Sequence, residues 1–433
     1  MAPIVPLISL FLRLIPRVFL DPVYMLVFGT VVLLAAWQYR RAAATERALY
    51  GLTQAPVLSR VALATGQGLV AGLAGSLLLV LVGVGLSGSG IRYLLPLALL
   101  LMLVNPRFLC FSYAGGLLSL SRLLFGAPDI FVPGIMGLAA VLHTTESLLI
   151  LLSGARHATP LAIRNPHGQA VAGFSLQKFW PVPIITLWLT SLPPGAETVP
   201  TPNWWPLIHP PVPSPEEAVY TLIPVAAVLG YTDLAVTAPP FEKSRRTAAA
   251  LLAYSVILLG LSALASWFSP LAWLAALFGP LGHEAVIWTG SRRELAGRPY
   301  YSAPVQGVRV LEVFPDSPAA RMGLRRDDVI VGAGGRPIGC RADLDVALAE
   351  ALYGLELRVR RLQGEVTLFS RRRPPQGRWG FVLVPGPGDP AVVELRSVRP
   401  LAGLLRWLNR LAALLSGRRP DGGGPGPPQG GDA

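Results

Sequence analysis

The chain has 433 residues, of which 52 % are hydrophobic and 14 % charged, and a formal net charge of +13. Soluble domains carry roughly a quarter charged residues, so this composition excludes an ordinary soluble fold and points to an α-helical polytopic membrane protein. Two cysteines exclude a disulfide framework, and arginines gathered beside apolar runs read as topology signals, not as a nucleic-acid surface.

Residues 4–20 are apolar but carry Pro6, Arg13, Pro16 and Arg17. A short span, a re-entrant piece and an interfacial helix all fit them. No basic leader region and no A-x-A site mark a cleavable signal. Spans are expected at 22–38, 68–86, 93–104, 108–125 and 130–152. Arg40, Arg41, Arg47 and Arg60 follow the first, and Arg107 follows the third. The next loop holds Arg156, Arg164 and Lys178. The apolar run 184–192 is short for a span, which needs about 20 residues, so the ends of this span are expected to include Trp180 and the flanking prolines. A further span is expected at 219–238. Between them the proline-rich loop 193–217 carries Glu197, Glu216 and Glu217, and its Trp204 and Trp205 suit a membrane interface.

Lys243, Arg245 and Arg246 then precede a last pair of spans, 247–267 and 271–288, closed by Arg292, Arg293 and Arg298. Placing the strongly basic loops in the cytoplasm leaves only Arg92 and Arg122 on the far side. The same assignment makes the C-terminal region cytoplasmic. The domain reading is a multi-span helical part over 1–290, a basic linker over 291–298 and a small, mostly β domain over 299–373. A β/turn segment and a basic amphipathic helix follow over 374–419, the helix from 401 suiting a membrane surface or the β domain equally. The Gly/Pro tail 420–433 reads as disordered.

Chemistry-bearing residues are few. His143 and Glu146 share a face at i and i+3, and with Asp233, His283 and Glu284 they form the intramembrane polar set. Either a functional cluster or a hydrogen-bonded helix-packing pair accounts for them. His283-Glu284 is followed by Ile287 where an H-E-x-x-H metal helix needs its second histidine. No Ser/His/Asp set, phosphate loop or CxxC pair is present. The expectation is therefore no catalysis, no metal and no cofactor, with Cys110 and Cys340 reduced and structural.

The run Gly307–Ile338 reads as a strand, a turn at Phe314-Pro315-Asp316-Ser317-Pro318, one helical turn closed by Gly323, a second strand over Val329-Ile330-Val331 and a hairpin at Gly334-Gly335. This order over 299–373 resembles a PDZ domain of the circularly permuted bacterial kind. The resemblance implies that a partner segment adds as a strand at a sheet edge beside a helix. Here the edge is expected at Tyr300, Tyr301 and Ser302, and the helix over 342–352 with Leu344, Ala347, Leu348 and Ala351 on one face.

With His143-Thr144-Thr145-Glu146-Ser147, Pro280-Leu281-Gly282-His283-Glu284 and Pro299-Tyr300-Tyr301-Ser302 in place, the layout resembles the MinJ family of Firmicute division-site topology factors. That resemblance implies a membrane scaffold at septum and poles that joins a DivIVA-like protein to MinC and MinD and to other divisome proteins. Alternatives are a degenerate site-2-protease-like protein, or a PDZ-regulated secretion or transport adaptor.

Overall fold

The computed structural model describes residues 4–85, 90–165, 168–191, 202, 204–209, 218–351, 353–371, 374, 378–386, 389 and 393–394. The expected helix over 401–419 and the tail lie outside these residues. Helix α1 (Ile4–Leu20) buries Leu7, Phe11 and Val18 against Tyr24 and Phe28 of α2 (Pro22–Tyr50). Asp21 starts α2 by accepting the N–H groups of Val23 and Tyr24, orphan donors of a first turn.

Among the described residues, five helices are long and apolar enough to cross a membrane. They are α2, α3 (Val57–Val82), α6 (Val132–Ser153), α7 (Pro240–Trp267) and α8 (Leu271–Ala296). The chain is thus built as a multi-pass membrane protein. One end of the bundle carries the C-terminus of α2, the N-terminus of α3, the C-terminus of α6, the N-terminus of α7 and the C-terminus of α8. Arg47, Lys243, Arg245, Arg292 and Arg293 lie near this end, which we call the basic end. Arg292 and Arg293, expected in a linker, belong to the last turns of α8.

Two pairs of expected spans are something else. Helices α4 (Gly90–Val104) and α5 (Phe111–Phe125) have 15 residues each, about 22 Å at 1.5 Å per residue, short of a hydrocarbon core of about 30 Å. The turn between them meets the middle of other helices: Arg107 binds Glu284 of α8 and Cys110 touches His143 of α6. They form a re-entrant hairpin whose tip lies inside the bundle. Non-helical backbone at that depth is tolerated only where protein buries it.

The described part of the run 184–192, through residue 191, and the run 219–238 are not helical. Strand β1 (Thr159–Arg164) pairs antiparallel with β2 (Ala170–Ser191), and β2 pairs antiparallel with β3 (Ala218–Ala235) from Phe174↔Ala235 to Ser191↔Ala218. Residues 180–187 of β2 are all buried, so both faces are covered and no alternation marks the strand. The long β2–β3 hairpin runs from the basic end to the opposite end along α3.

Close approach to α3 rests on small residues. A Cβ built on Gly68 falls 1.9 Å from the Pro181 carbonyl oxygen, and one on Gly72 falls 2.4 Å from that of Pro183. The Ser76 hydroxyl accepts the Ile185 N–H at 2.8 Å and donates to the Gly72 carbonyl at 2.6 Å. Trp205, expected at an interface, is instead buried, its indole N–H donating to the Val80 carbonyl at 2.8 Å.

The C-terminal β domain follows the expected element order. It comprises β4 (Val308–Val313), α9 (Pro318–Met322), β5 (Val329–Ala333), β6 (Arg336–Pro337), α10 (Arg341–Glu350), β7 (Leu355–Arg361) and β8 (Gly364–Ser370). Ser317 caps α9 and Gly323 ends it with φ of 86°. Strand β9 (Phe381–Leu383) adds to β4, giving the sheet order β8-β7-β5-β4-β9, so the sheet extends past residue 373. A last short strand, β10 (Val393–Glu394), returns to pair parallel with β1.

The helix–hairpin contact gives a paired test. Gly68→Val should cost about 3 kcal/mol through forced separation of α3 and β2. Gly66→Ala, whose added methyl meets nothing within 4 Å, should be neutral or stabilising by about 0.5–1 kcal/mol. Thermal unfolding of the detergent-solubilised protein should rank them in that order.

Candidate functional site: a polar centre in the bundle and a docked β domain

The polar centre is built where four helices meet. His143 stands near the middle of α6 and His283 near the middle of α8, with ring centroids 4.8 Å apart. Cys110 is the residue before α5, at the tip of the re-entrant hairpin, and its Sγ lies 3.2 Å from His143 Nε2. The other nitrogen of His143, Nδ1, is 2.7 Å from the Ala139 carbonyl oxygen one turn back. That oxygen only accepts, so Nδ1 carries the proton and Nε2 presents its lone pair to Cys110.

His283 sits against Tyr113 and Tyr254, at centroid distances of 5.3 and 5.7 Å. Its Nδ1 is buried and has no protein partner. Tyr254 is held by Ser112 at 2.6 Å and by the Gly279 carbonyl at 2.9 Å. Beside the histidines, Glu284 receives Arg107 Nη2 at 2.7 Å from both carboxylate oxygens and the Tyr113 hydroxyl at 2.6 Å. The Cys110 sulfur and one ring nitrogen each of His143 and His283 all lie within 4.8 Å of one another.

Of the expected polar set, His143, Glu146, His283 and Glu284 fall in or beside this centre, Glu146 one turn beyond His143 on α6. Asp233 does not. It lies near the basic end, 3.1 Å from Lys243 Nζ, and accepts Thr247 at 2.8 Å and Tyr231 at 3.2 Å. Glu294 of α8 completes that second network by accepting the N–H groups of Val236 and Thr237 at 2.8 Å each. Sequence reasoning missed Cys110 and Arg107 as members of the centre. Both sit in a non-helical turn, and no helical spacing relates them to residues on other chain segments.

A third network closes the basic end. Glu46, fully buried, is bridged by Arg60 at 2.6 and 3.0 Å and accepts Thr159 at 2.9 Å and the Gln54 N–H at 3.0 Å. His157 and Lys178 line the same recess. Burial, with the nearby Lys178 and Arg60 charges, holds the His157 imidazole down at about 4.

The β domain packs directly on this end. The Tyr50 and Phe314 rings lie 5.4 Å apart, and Arg326 sits 5.1 Å over Phe174 of β2. Tyr300, Tyr301 and Ser302 do not form a sheet edge; no strand covers them. Tyr301 is buried, 5.6 Å from Phe174 and under Arg309, and the Tyr300 N–H donates to the Val236 carbonyl at 2.9 Å. These residues are a dock between the two parts. Among the described strands, the sheet ends at β9, next to β4. Leu344 and Ala347 of α10 are buried, and Leu348 and Ala351 pack in one cluster with Phe381 and Leu383. Arg341 of α10 reaches Asp389 beyond β9 at 3.4 Å. Gly380 O and Val384 N bond to β4, so by alternation the polar groups of Phe381 and Leu383 face away from the sheet.

No protein-family model matches this chain, and no curated protein matches it.

Two outcomes follow from the basic-end network. Glu46→Gln leaves Arg60 buried without its counter-charge and should cost about 3–5 kcal/mol in chemical unfolding. His157 is harder to protonate folded than unfolded, so the unfolded state binds more protons between its two pKa values. Stability should therefore fall as pH drops from about 6.5 toward about 4, and His157→Gln should flatten that part of the melting-temperature profile.

Proposed function

We propose that this protein is a membrane-anchored scaffold whose C-terminal β domain is a PDZ-type peptide-binding module. The observation that carries the reading is the outer edge of β9, with which no other described strand pairs, in one apolar cluster with α10. A three-residue edge strand next to an apolar helix face is the arrangement that accepts an added strand, with backbone bonds giving affinity and pockets giving selectivity. The strand, capped turn, strand, hairpin and helix order supports the same assignment.

Anchoring supplies the second half of the function. A domain fixed to the bundle confines its partner to the membrane plane, where effective concentration is high without any new contact. The arginines and lysines of the basic end that carries the β domain support a cytoplasmic orientation. On the resemblance of layout and motifs, the partners are division-site proteins: a DivIVA-like protein at poles and septum, and MinC and MinD. The role is non-catalytic.

The test is recruitment by point variants of the full chain. Leu383→Pro removes an N–H that faces away from the sheet, so it should block strand addition while leaving the β4 pairing in place. Two-hybrid or membrane co-purification with DivIVA-like and MinD-like partners should drop at least tenfold, with membrane protein level unchanged. Undiminished recruitment would sink the edge-strand reading.

A further inference from the structure

We propose that Cys110, His143 and His283 form a binding site for a zinc-class divalent transition metal, set half-way across the helical bundle. The inference stands independently of the scaffold reading. Three observations carry it. First, the three ligand atoms come from three separate elements, the re-entrant tip, α6 and α8, yet lie within 4.8 Å of one another. Second, His143 is already set as a ligand: Ala139 takes the Nδ1 proton at 2.7 Å, which orients Nε2 and its lone pair toward Cys110. A backbone carbonyl on the far nitrogen is how ligating histidines are commonly fixed.

Third, a hydrogen-bonded packing cluster leaves His283 unexplained. The Cys110–His143 contact satisfies those two side chains alone, while His283 Nδ1 is buried with no protein partner. A buried imidazole nitrogen is not left without a partner cheaply. A metal shared by the three side chains gives this imidazole the partner that the hydrogen-bonded cluster does not.

The donor set selects the class of ion. One thiolate and two imidazoles are soft to borderline ligands, which favour zinc and its neighbours over magnesium or calcium. Three protein ligands leave a fourth tetrahedral position open, filled by water or by another group. Binding deprotonates Cys110, so the thiolate and the divalent ion together carry a charge of +1. Glu284 is already balanced by Arg107, which leaves Glu146, one turn from His143 on the same helix, as the carboxylate nearest in sequence to offset it. The short spacing of the His-Glu pair on α8 hides this site from a motif search, because its other two ligands lie on distant segments.

The experiment uses the full chain in detergent, purified without a polyhistidine tag after growth in zinc-supplemented or cobalt-supplemented medium. Metal content is read by mass spectrometry after dialysis against a weak chelator, and cobalt protein is read by its thiolate-to-metal charge-transfer band. The expectation is about one metal per chain, with the band present in the intact protein. Cys110→Ser and His283→Ala should each lower metal content at least tenfold and abolish the band, while Tyr113→Phe should keep both. Should His283→Ala fail to fold, Cys110→Ser, a nearly isosteric change, decides alone. A metal-free intact protein, or equal metal in intact and Cys110→Ser protein, would overturn the site.

Discussion

The structure depends on how a β-hairpin meets a helix where water is scarce. On the β2 edge that faces α2 and α3, the polar groups belong to every second residue, Phe179, Pro181, Pro183, Ile185 and Leu187. Each has a specific solution. The Tyr39 hydroxyl lies 3.2 Å from both the Phe179 N–H and its carbonyl. Pro181 and Pro183 have no N–H to satisfy. Ser76 accepts the Ile185 N–H, and Leu187 bridges to Gly85. The two proline carbonyls are brought against Gly68 and Gly72, where only a glycine leaves room. An open strand edge inside a bilayer is otherwise too costly to exist, so this pairing of small residues with prolines is what permits a sheet in the membrane part.

Once that hairpin is seated, other features follow from it. Strand β2 presents Phe174 and β3 leads to Val236, and these are the groups on which Tyr301, Arg326 and Tyr300 dock the C-terminal domain. The return of β10 to β1 ties the chain to the same sheet a second time. Away from the basic end, the re-entrant hairpin α4–α5 is pinned at its tip by the Arg107–Glu284 pair and brings Cys110 to the histidines. A membrane anchor, a dock and a polar centre are therefore one connected construction.

Much of this was legible in the chain, for identifiable reasons. The β domain was readable because its punctuation is local: Ser317 and Gly323 bracket α9, and Gly334-Gly335 turn between β5 and β6, so each element is announced by its neighbours. The five long helices were readable from length and hydropathy. The membrane hairpin was not. Residues 180–187 are buried on both faces, and a continuous apolar run carries no period that separates strand from helix. Pro181 and Pro183 were the available signal, since paired prolines at i and i+2 suit one edge of a strand and would break a helix. The re-entrant pair was missed because 15 apolar residues sit between a short span and a half-span. At the centre, His143, His283 and Glu284 could be named as polar residues in apolar helices, but their meeting with Cys110 is a tertiary fact. The expected edge at Tyr300 to Ser302 failed because those aromatic residues serve the dock, and the strand that flanks β4 comes from beyond residue 380.

The central proposal is that the anchor holds a recruiting domain at the cytoplasmic face where division proteins assemble. Live imaging of a C-terminal fluorescent fusion in dividing Firmicute cells tests it most directly, because a fluorescent protein exported unfolded through the general secretion route stays dark. The account predicts a bright signal gathered at septa and poles. A dark fusion with full-length protein on a blot would contradict the orientation, and a bright but uniform membrane signal would contradict the division-site role.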